Sequence, residues 1–394
     1  MTIITEENTQ ARETRHTSGL YAKRDLTIIR GEGATLYDDQ GNAYIDCVGG
    51  QGAANLGHAH PAVVAAITQQ AQTLISCPEM FYNDVRATFA EKLVAIAPVG
   101  MGRVFLCNSG TEAVEAALKF ARYSTGRTGI IAAMRGFHGR TMGALSATWN
   151  KKYRQPFAPL VPDFHHFPYN KLDRLDALVD ENTAAVLVEV VQGEGGVHLG
   201  DAEFLQGAQA LCRERGALLI IDEIQTGFGR TGKMFAFEHH GLTPDIVTLA
   251  KSIAGGVPMG AVLLGERVAP LRPGLHGTTF GGNPLSAAAG IAALDALVDD
   301  NLPENAAALG AYLLEHLHQI ESPLIREIRG VGLMIGIELK TKVAPYLAAM
   351  TENGVLALSA GMTVIRLLPP LVITRAQVDQ VADVLTRVLT EEIA

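Results

Sequence analysis

Apolar runs and helical stretches alternate along the middle of the chain. Between about Arg103 and Gly265 the runs "VFLCN", "GIIAAM", "AAVLVEVV", "LLIID", "DIVTLA" and "GAVLLG" are apolar nearly throughout, and the segments between them read as helices. A strand that is apolar on both faces is covered on both faces, which is the habit of parallel sheets flanked by helices. The pattern predicts an α/β domain on a mainly parallel sheet. After "FGGNPLSAAAGIAALDALVDD", a long helix entered through Pro284, the character changes. There "LMIGIEL", "VLAL" and "TVIRLLPPLVI" read as strands with amphipathic helices between and after them, and Thr374 followed by Gln377 predicts a capping box for the last helix. We expect a large domain at residues 51–289 and a smaller α+β domain at 290–394, with residues 1–50 packed against the smaller one. No internal repeat, low-complexity tract or linker interrupts them.

Composition narrows the class. With 394 residues, 48% hydrophobic and 19% charged, the chain has the content of a folded protein of more than one core rather than a disordered one. No apolar run approaches the roughly 20 residues needed to span a bilayer. The polar opening "MTIITEENTQARETRHTSG" shows no secretory pattern and reads as a loosely ordered cytoplasmic N-terminus. A net charge of −9 argues against general affinity for nucleic acid or anionic membranes. Cys47, Cys77, Cys107 and Cys212 lie far apart with no CxxC spacing, so reduced thiols are expected rather than disulfides or a metal site.

Candidate chemistry comes from charges that end apolar runs. In "LLIIDEIQTGFGRTG" the acids Asp222 and Glu223 stand where a buried strand should continue, and an unpaired buried carboxylate costs several kcal/mol or takes up a proton, so a cationic partner is expected. "DIVTLAKSIAGG" ends in Lys251 in the same way, although a lysine snorkelling from a strand end is the ordinary alternative. Ligands of parallel sheets bind at the carboxyl edge, so the two groups would face one crevice. "NSGTEAVEAALKFAR" places Ser109 as N-cap with Glu112 three residues on, a predicted capping box whose amides around Ser109, Gly110 and Thr111 suit an anion. Gly227, Gly229 and Gly232 spell GxGxxG, but five residues separate them from the strand and no clear helix follows, so we read a loop rather than a nicotinamide fingerprint. A cofactor that wants a carboxylate, an amine and a phosphate cradle together is pyridoxal phosphate. Its pyridinium would be the cation that Asp222 lacks, and Lys251 would attach to its aldehyde.

These residues resemble the class III, or ω-, aminotransferases of fold type I, from about Ser18 onward. The motifs "GNAYIDCVGG", "LGHAHP", "NSGTEA", "GFHGRT", "VQGEGG", "DEIQTGFGRTG", "LAKSIAGGVPMGA" and "TTFGGNPLSAAA" carry the resemblance in order. Within that class "KVAPYLAAMTENGVLALSAGMTVIRLLPPLVIT" is most similar to acetylornithine aminotransferases and to relatives acting on LysW-γ-lysine, whose substrate rides on a small acidic carrier protein.

The resemblance implies a seven-stranded, mainly parallel sheet and a homodimer with shared active sites. It makes Lys251, Asp222 and Glu194 catalytic, with Phe137 stacking on the cofactor ring, His138 among the cofactor contacts and Gln225 on its phenolic oxygen. Thr279 would reach the phosphate held by the neighbouring subunit, and Thr278 would contact substrate. Arg140 would hold the carboxylate far from the reacting carbon and Arg366 the one beside it, with Glu194 covering Arg366 when no such carboxylate is present. Val190 departs from the proline common before "VQGEGG". Such a site serves an ω-amino donor and 2-oxoglutarate in turn, with ornithine or 4-aminobutyrate as the alternative donors. An aminomutase or decarboxylase on the same fold would keep Lys251 and Asp222, and a non-catalytic binding protein would have little use for both. A basic cluster, Lys151, Lys152 and Arg154, follows "GFHGRT" and is a candidate docking point for the carrier, with a solvated loop as its plain alternative.

Overall fold

Fifteen of the described strands sort into three sheets, and the apolar runs make the middle one. A computed structural model describes residues 8–391; residues 1–7 of the polar opening and 392–394 lie outside it. In chain order the strands are β1 (Ile28–Glu32), β2 (Thr35–Asp38), β3 (Ala43–Asp46), β4 (Arg103–Cys107), β5 (Gly129–Ala133), β6 (Phe164–Phe167), β7 (Thr183–Val188), β8 (Val191–Gln192), β9 (His198–Leu199), β10 (Leu218–Asp222), β11 (Ile246–Leu249) and β12 (Gly260–Leu264). After two long helices come β13 (Ile325–Val331), β14 (Met334–Leu339), β15 (Val355–Leu356), β16 (Leu358–Ala360) and β17 (Val364–Leu367).

The central sheet has seven strands in the order β4-β12-β11-β10-β7-β5-β6. Only β12 runs against its neighbours β11 and β4; the other pairings are parallel. Strands β5, β7, β10, β11 and β12 are buried at every residue, as doubly covered strands must be. One edge strand, β6, "FHHF", escapes the apolar pattern because it pairs on one side only and carries two histidines. The run "AAVLVEVV" is broken at Glu189, where β7 stops and the chain turns into the β8–β9 hairpin.

Helix Gly110–Thr125 begins at Ser109, whose hydroxyl accepts from Glu112 N at 3.3 Å, and ends at Gly126 with φ 69°. Its small apolar face, from Ala113 to Ala121, is buried. The expected capping box is only half made. Glu112 returns its carboxylate to Asn108 N at 2.6 Å and to Asn108 Nδ2 at 2.9 Å rather than to Ser109 N. The box at Thr374 and Gln377 is complete.

The second sheet, β13-β14-β17-β16, is antiparallel. "IREIRGV" supplies β13, which the charges of Arg326, Glu327 and Arg329 hid from the apolar pattern, whereas "VLAL" divides into β15 and β16 and only the first part of "TVIRLLPPLVI" is strand. Strand β15 leaves that sheet and pairs in parallel with β3, which ties the N-terminal strands to the C-terminal part. Helix Pro284–Asp299 runs unbroken across residue 290 and packs on helices Pro61–Thr73 and Asp84–Ala95. At that contact a Cβ on Gly290 would lie 2.5 Å from the ring of Phe89, which is fully buried. The ring fills the space that glycine leaves. Phe89→Ala should therefore lower stability by about 3–5 kcal/mol, read as a drop in denaturant midpoint at unchanged slope.

Candidate active site

Six strand ends meet one cavity. The C-terminal ends of β4, β5, β7, β10 and β11 lead into Asn108–Thr111, Phe137–Arg140, Glu189, Asp222 and Lys251, and all of these line a cavity of about 390 Å³ with Glu194, Gln225 and the turn before β12. That edge is where a parallel sheet leaves strand-end groups free to converge.

Asp222 is 4% exposed and ends β10. His138 Nδ1 lies 2.7 Å from its Oδ2, and Ile224 N donates to Oδ1 at 3.1 Å. Burial pulls the His138 pKa down, but the hydrogen bond and charge of Asp222, with Glu189 adding to them, carry it above the ordinary histidine value. The ring therefore donates its Nδ1–H to the carboxylate. Glu223, one residue on, turns the other way: its carboxylate accepts from Thr226 Oγ1 at 2.5 Å and Phe237 N at 2.9 Å, and burial pushes its pKa up to about 7. Of the two adjacent acids, only Asp222 faces the cavity.

Lys251 follows β11 with a left-handed backbone, φ 49°. Such a conformation in a lysine costs of the order of 1 kcal/mol and persists where the surroundings fix it. Burial lowers its amine to about 8, against the upward pull of Glu194. The helix start supplies the third element. Glu112 N is taken by Ser109 Oγ, while the first-turn amides of Gly110 and Thr111 have no helical acceptor and face the cavity with the positive end of the helix dipole. A Cβ on Gly110 would lie 2.9 Å from Ile224, so glycine lets the helix start approach the Asp222 loop. A carboxylate, a desolvated amine and an anion cradle around one cavity fit pyridoxal phosphate.

The Glu194–Arg366 pair stands beside them. Arg366 is 2% exposed on β17, and its Nη1 lies 2.7 Å from Glu194 Oε1 and 3.2 Å from Gln225 Oε1. Burial alone would raise the Glu194 pKa; Arg366, then Lys251, hold it below the ordinary value. Arg140 is exposed at the cavity's rim, its guanidinium 3.7 Å from the ring centre of Tyr153 and 5.4 Å from that of Phe137.

Thr278 accepts from Asn108 Nδ2 at 2.9 Å, at the edge of the cradle. Thr279 is exposed and does not line the cavity of its own chain. Glu189 lines the cavity and Tyr153 lies under Arg140 outside its lining, and neither is among the residues to which the sequence motifs point. Glu189 accepts from Phe137 N at 3.0 Å and Gly193 N at 3.2 Å, and burial raises its pKa. Its signal was present, since it is a charge ending an apolar run, as Asp222 and Lys251 are. Tyr153, which underlies Arg140, carried no signal.

The class-III aminotransferase family profile matches residues 20–389. The chain is similar to the [LysW]-aminoadipate semialdehyde transaminase of Deinococcus radiodurans, 55% identical over 383 residues that cover 96% of this chain and 89% of that protein. It is 47% identical over 374 residues to the acetylornithine aminotransferase of Methanothermobacter thermautotrophicus, covering 94% and 95% of the two. Among solved structures it is similar to the ornithine aminotransferase of Toxoplasma gondii, with pyridoxal phosphate partly occupying that active site, at TM-score 0.93 and 36% identity over 96% and 93% of the chains.

In protein stripped of cofactor, competitive labelling with an amine reagent should give Lys251 a midpoint near pH 8, with the amine protonated below it and reactive above it. Glu194→Gln removes the charge that supports the protonated form, so the midpoint should move lower still. A midpoint in the ordinary lysine range would show that the amine is not desolvated.

Proposed function

We propose that this chain, which belongs to the class-III aminotransferases and depends on pyridoxal phosphate, moves the terminal amino group of LysW-γ-lysine or N2-acetylornithine to 2-oxoglutarate, giving a semialdehyde and glutamate in lysine or arginine biosynthesis. The observation that carries this reading is the Glu194–Arg366 pair in the cavity that also holds Lys251. An enzyme that alternates between an ω-amino donor and 2-oxoglutarate must present a carboxylate site beside the reacting carbon to one substrate and hide it from the other. Glu194 would cover Arg366 for the donor and release it for the α-carboxylate. Arg140 at the rim would hold the carboxylate at the far end of either substrate, stiffened by Tyr153 beneath it.

When bound, pyridoxal phosphate supplies an aldehyde for an amine and a ring that takes up negative charge from the substrate carbon. Ser109, Gly110 and Thr111 would hold its phosphate, Phe137 would pack on the ring, Gln225 would reach the phenolic oxygen, and Asp222, oriented by His138, would keep the ring nitrogen protonated. Lys251 would move the proton at the substrate carbon, because its lowered pKa leaves a useful neutral fraction near physiological pH.

The active form would be a homodimer. Met80, Phe81, Tyr82 and Phe280 are exposed, and Arg86 joins their loops by donating to Phe81 O at 3.1 Å and Gly282 O at 2.8 Å. An apolar patch of this kind suits a protein partner. Thr279, exposed beside it, would reach the phosphate held by the other protomer. The four free cysteines suit a reducing compartment such as the cytoplasm. Lys151 and Lys152 are exposed on the short helix whose Tyr153 supports Arg140, so an acidic carrier docked there would deliver its substrate to the rim.

Lys251→Ala should bind the cofactor but lose multiple turnover, and near-normal steady-state rates would sink the assignment. Asp222→Asn should lose about 10³-fold or more in kcat, as when other buried groups that set a catalytic partner's protonation are neutralised; a mutant that keeps most of its activity would make the carboxylate structural. Reversing Lys151 and Lys152 to glutamate should raise KM for the carrier-bound donor, more at low salt, and leave free N2-acetylornithine unaffected. Equal losses on both donors would point to pocket damage, and no loss on either would remove the patch from the reaction.

A further inference from the structure

The loop that carries Glu194 is held from behind by an arginine that never enters the cavity. Residues 193–197 form the turn of the β8–β9 hairpin, closed by Val197 N donating to Gln192 O at 2.8 Å. Val197 sits at φ 57°, a conformation that a β-branched side chain rarely adopts. Arg329 of β13, which is buried, fixes it there. Its Nε donates to Gly196 O at 2.9 Å and to Val197 O at 3.1 Å, and its Nη2 donates to Gly196 O at 2.6 Å. Its Nη1 is in turn held by Glu338 at 2.8 Å and Glu327 at 2.6 Å, so the guanidinium is aimed from both sides.

The register of the second sheet makes this more than a local clamp. Arg329 is opposite Gly336 on β14, and Gly336 is opposite Arg366 on β17. Residues directly opposite in antiparallel strands share a face, so the two arginines flank one glycine in a single row. Val197 fills the gap: a Cβ on Gly336 would lie 2.9 Å from its Cβ. The loop thus lies across the row, its root, Gly196 and Val197, on Arg329 and Gly336 and its tip, Glu194, on Arg366 at 2.7 Å.

We infer that Arg329 is a positioning residue for substrate selection, and that the Arg329–Gly336 seat sets how firmly Glu194 covers Arg366. This rests on the reading of Glu194 as that cover. A loosened root lets the tip leave Arg366 more often, so α-carboxylates gain over ω-amino donors although no residue of the cavity has changed.

The test compares Arg329→Lys and Gly336→Ala in the wild-type and Glu194→Ala backgrounds. Two readouts are taken on cofactor-loaded enzyme: the ratio of kcat/KM for N2-acetylornithine to that for glutamate in the first half-reaction, and the calorimetric Kd for 2-oxoglutarate without an amine. Glu194→Ala should itself lower the ratio; no change there would refute the cover reading and this inference with it. Each seat variant should lower the ratio by about tenfold and tighten 2-oxoglutarate binding in the wild-type background, an interaction of the size neighbouring residues show, and should add nothing once Glu194 is gone. If Glu194→Ala shifts the ratio but a folded Arg329→Lys or Gly336→Ala leaves both readouts unchanged, or shifts them equally in the Glu194→Ala background, the positioning role is overturned while the cover reading stands.

Discussion

A buried hydrogen bond of 2.7 Å between His138 and Asp222 fixes the carboxylate around which the rest of the site is arranged. In a low-dielectric interior a carboxylate without partners takes up a proton, and one matched by a lysine or arginine is already neutralised. Histidine is the intermediate solution, because it orients Asp222 from one side and leaves the other toward the cavity. Alternation along the chain does the sorting: neighbouring residues leaving a strand point to opposite sides, so Glu223 is satisfied by Thr226 and an amide in the protein while Asp222 remains available.

The Glu194–Arg366 pair draws on a different part of the molecule. Lys251, Asp222 and the helix start belong to the central sheet, but Arg366 comes from the antiparallel sheet and Glu194 from a hairpin lying between them. Their meeting requires that the two sheets keep a fixed relation. Arg230, fully buried, supplies part of it: it donates to Leu333 O at 3.0 Å and to Asn55 Oδ1 at 2.6 Å, so the loop after Asp222 is tied both to β14's approach and to the chain at Asn55. Burial lowers its pKa to about 9, a penalty borne in exchange for several carbonyl contacts from one rigid fork. The strand-end groups of the central sheet and the Glu194–Arg366 pair are thus built on separate parts of the fold and joined by buried arginines, Arg230 on one side and Arg329 on the other.

Much of the central sheet was legible because doubly covered strands have to be apolar on both faces, and charges at their ends stand out. Asp222 and Lys251 were found that way, and Glu189 obeys the same rule although it was passed over. The edge strand β6 and the charged strand β13 were not legible, since a strand covered on one side, or salt-bridged along one face, needs no apolar run. The half-made capping box at Ser109 shows the limit of local reading: its residues predict a helix start, but which amide Glu112 takes depends on how the chain arrives from β4.

The sequence by itself determined the fold class, the chemistry of the central edge and, through motif resemblance, the residues expected to act there. Only the tertiary structure decided that Arg329 and Gly336 share the row of Arg366 and that Val197 of the β8–β9 turn packs on that row. The physical reason is that strand identity is written in local periodicity, whereas the register between β13, β14 and β17 and the seating of the β8–β9 turn across them are fixed by packing between residues far apart in the chain.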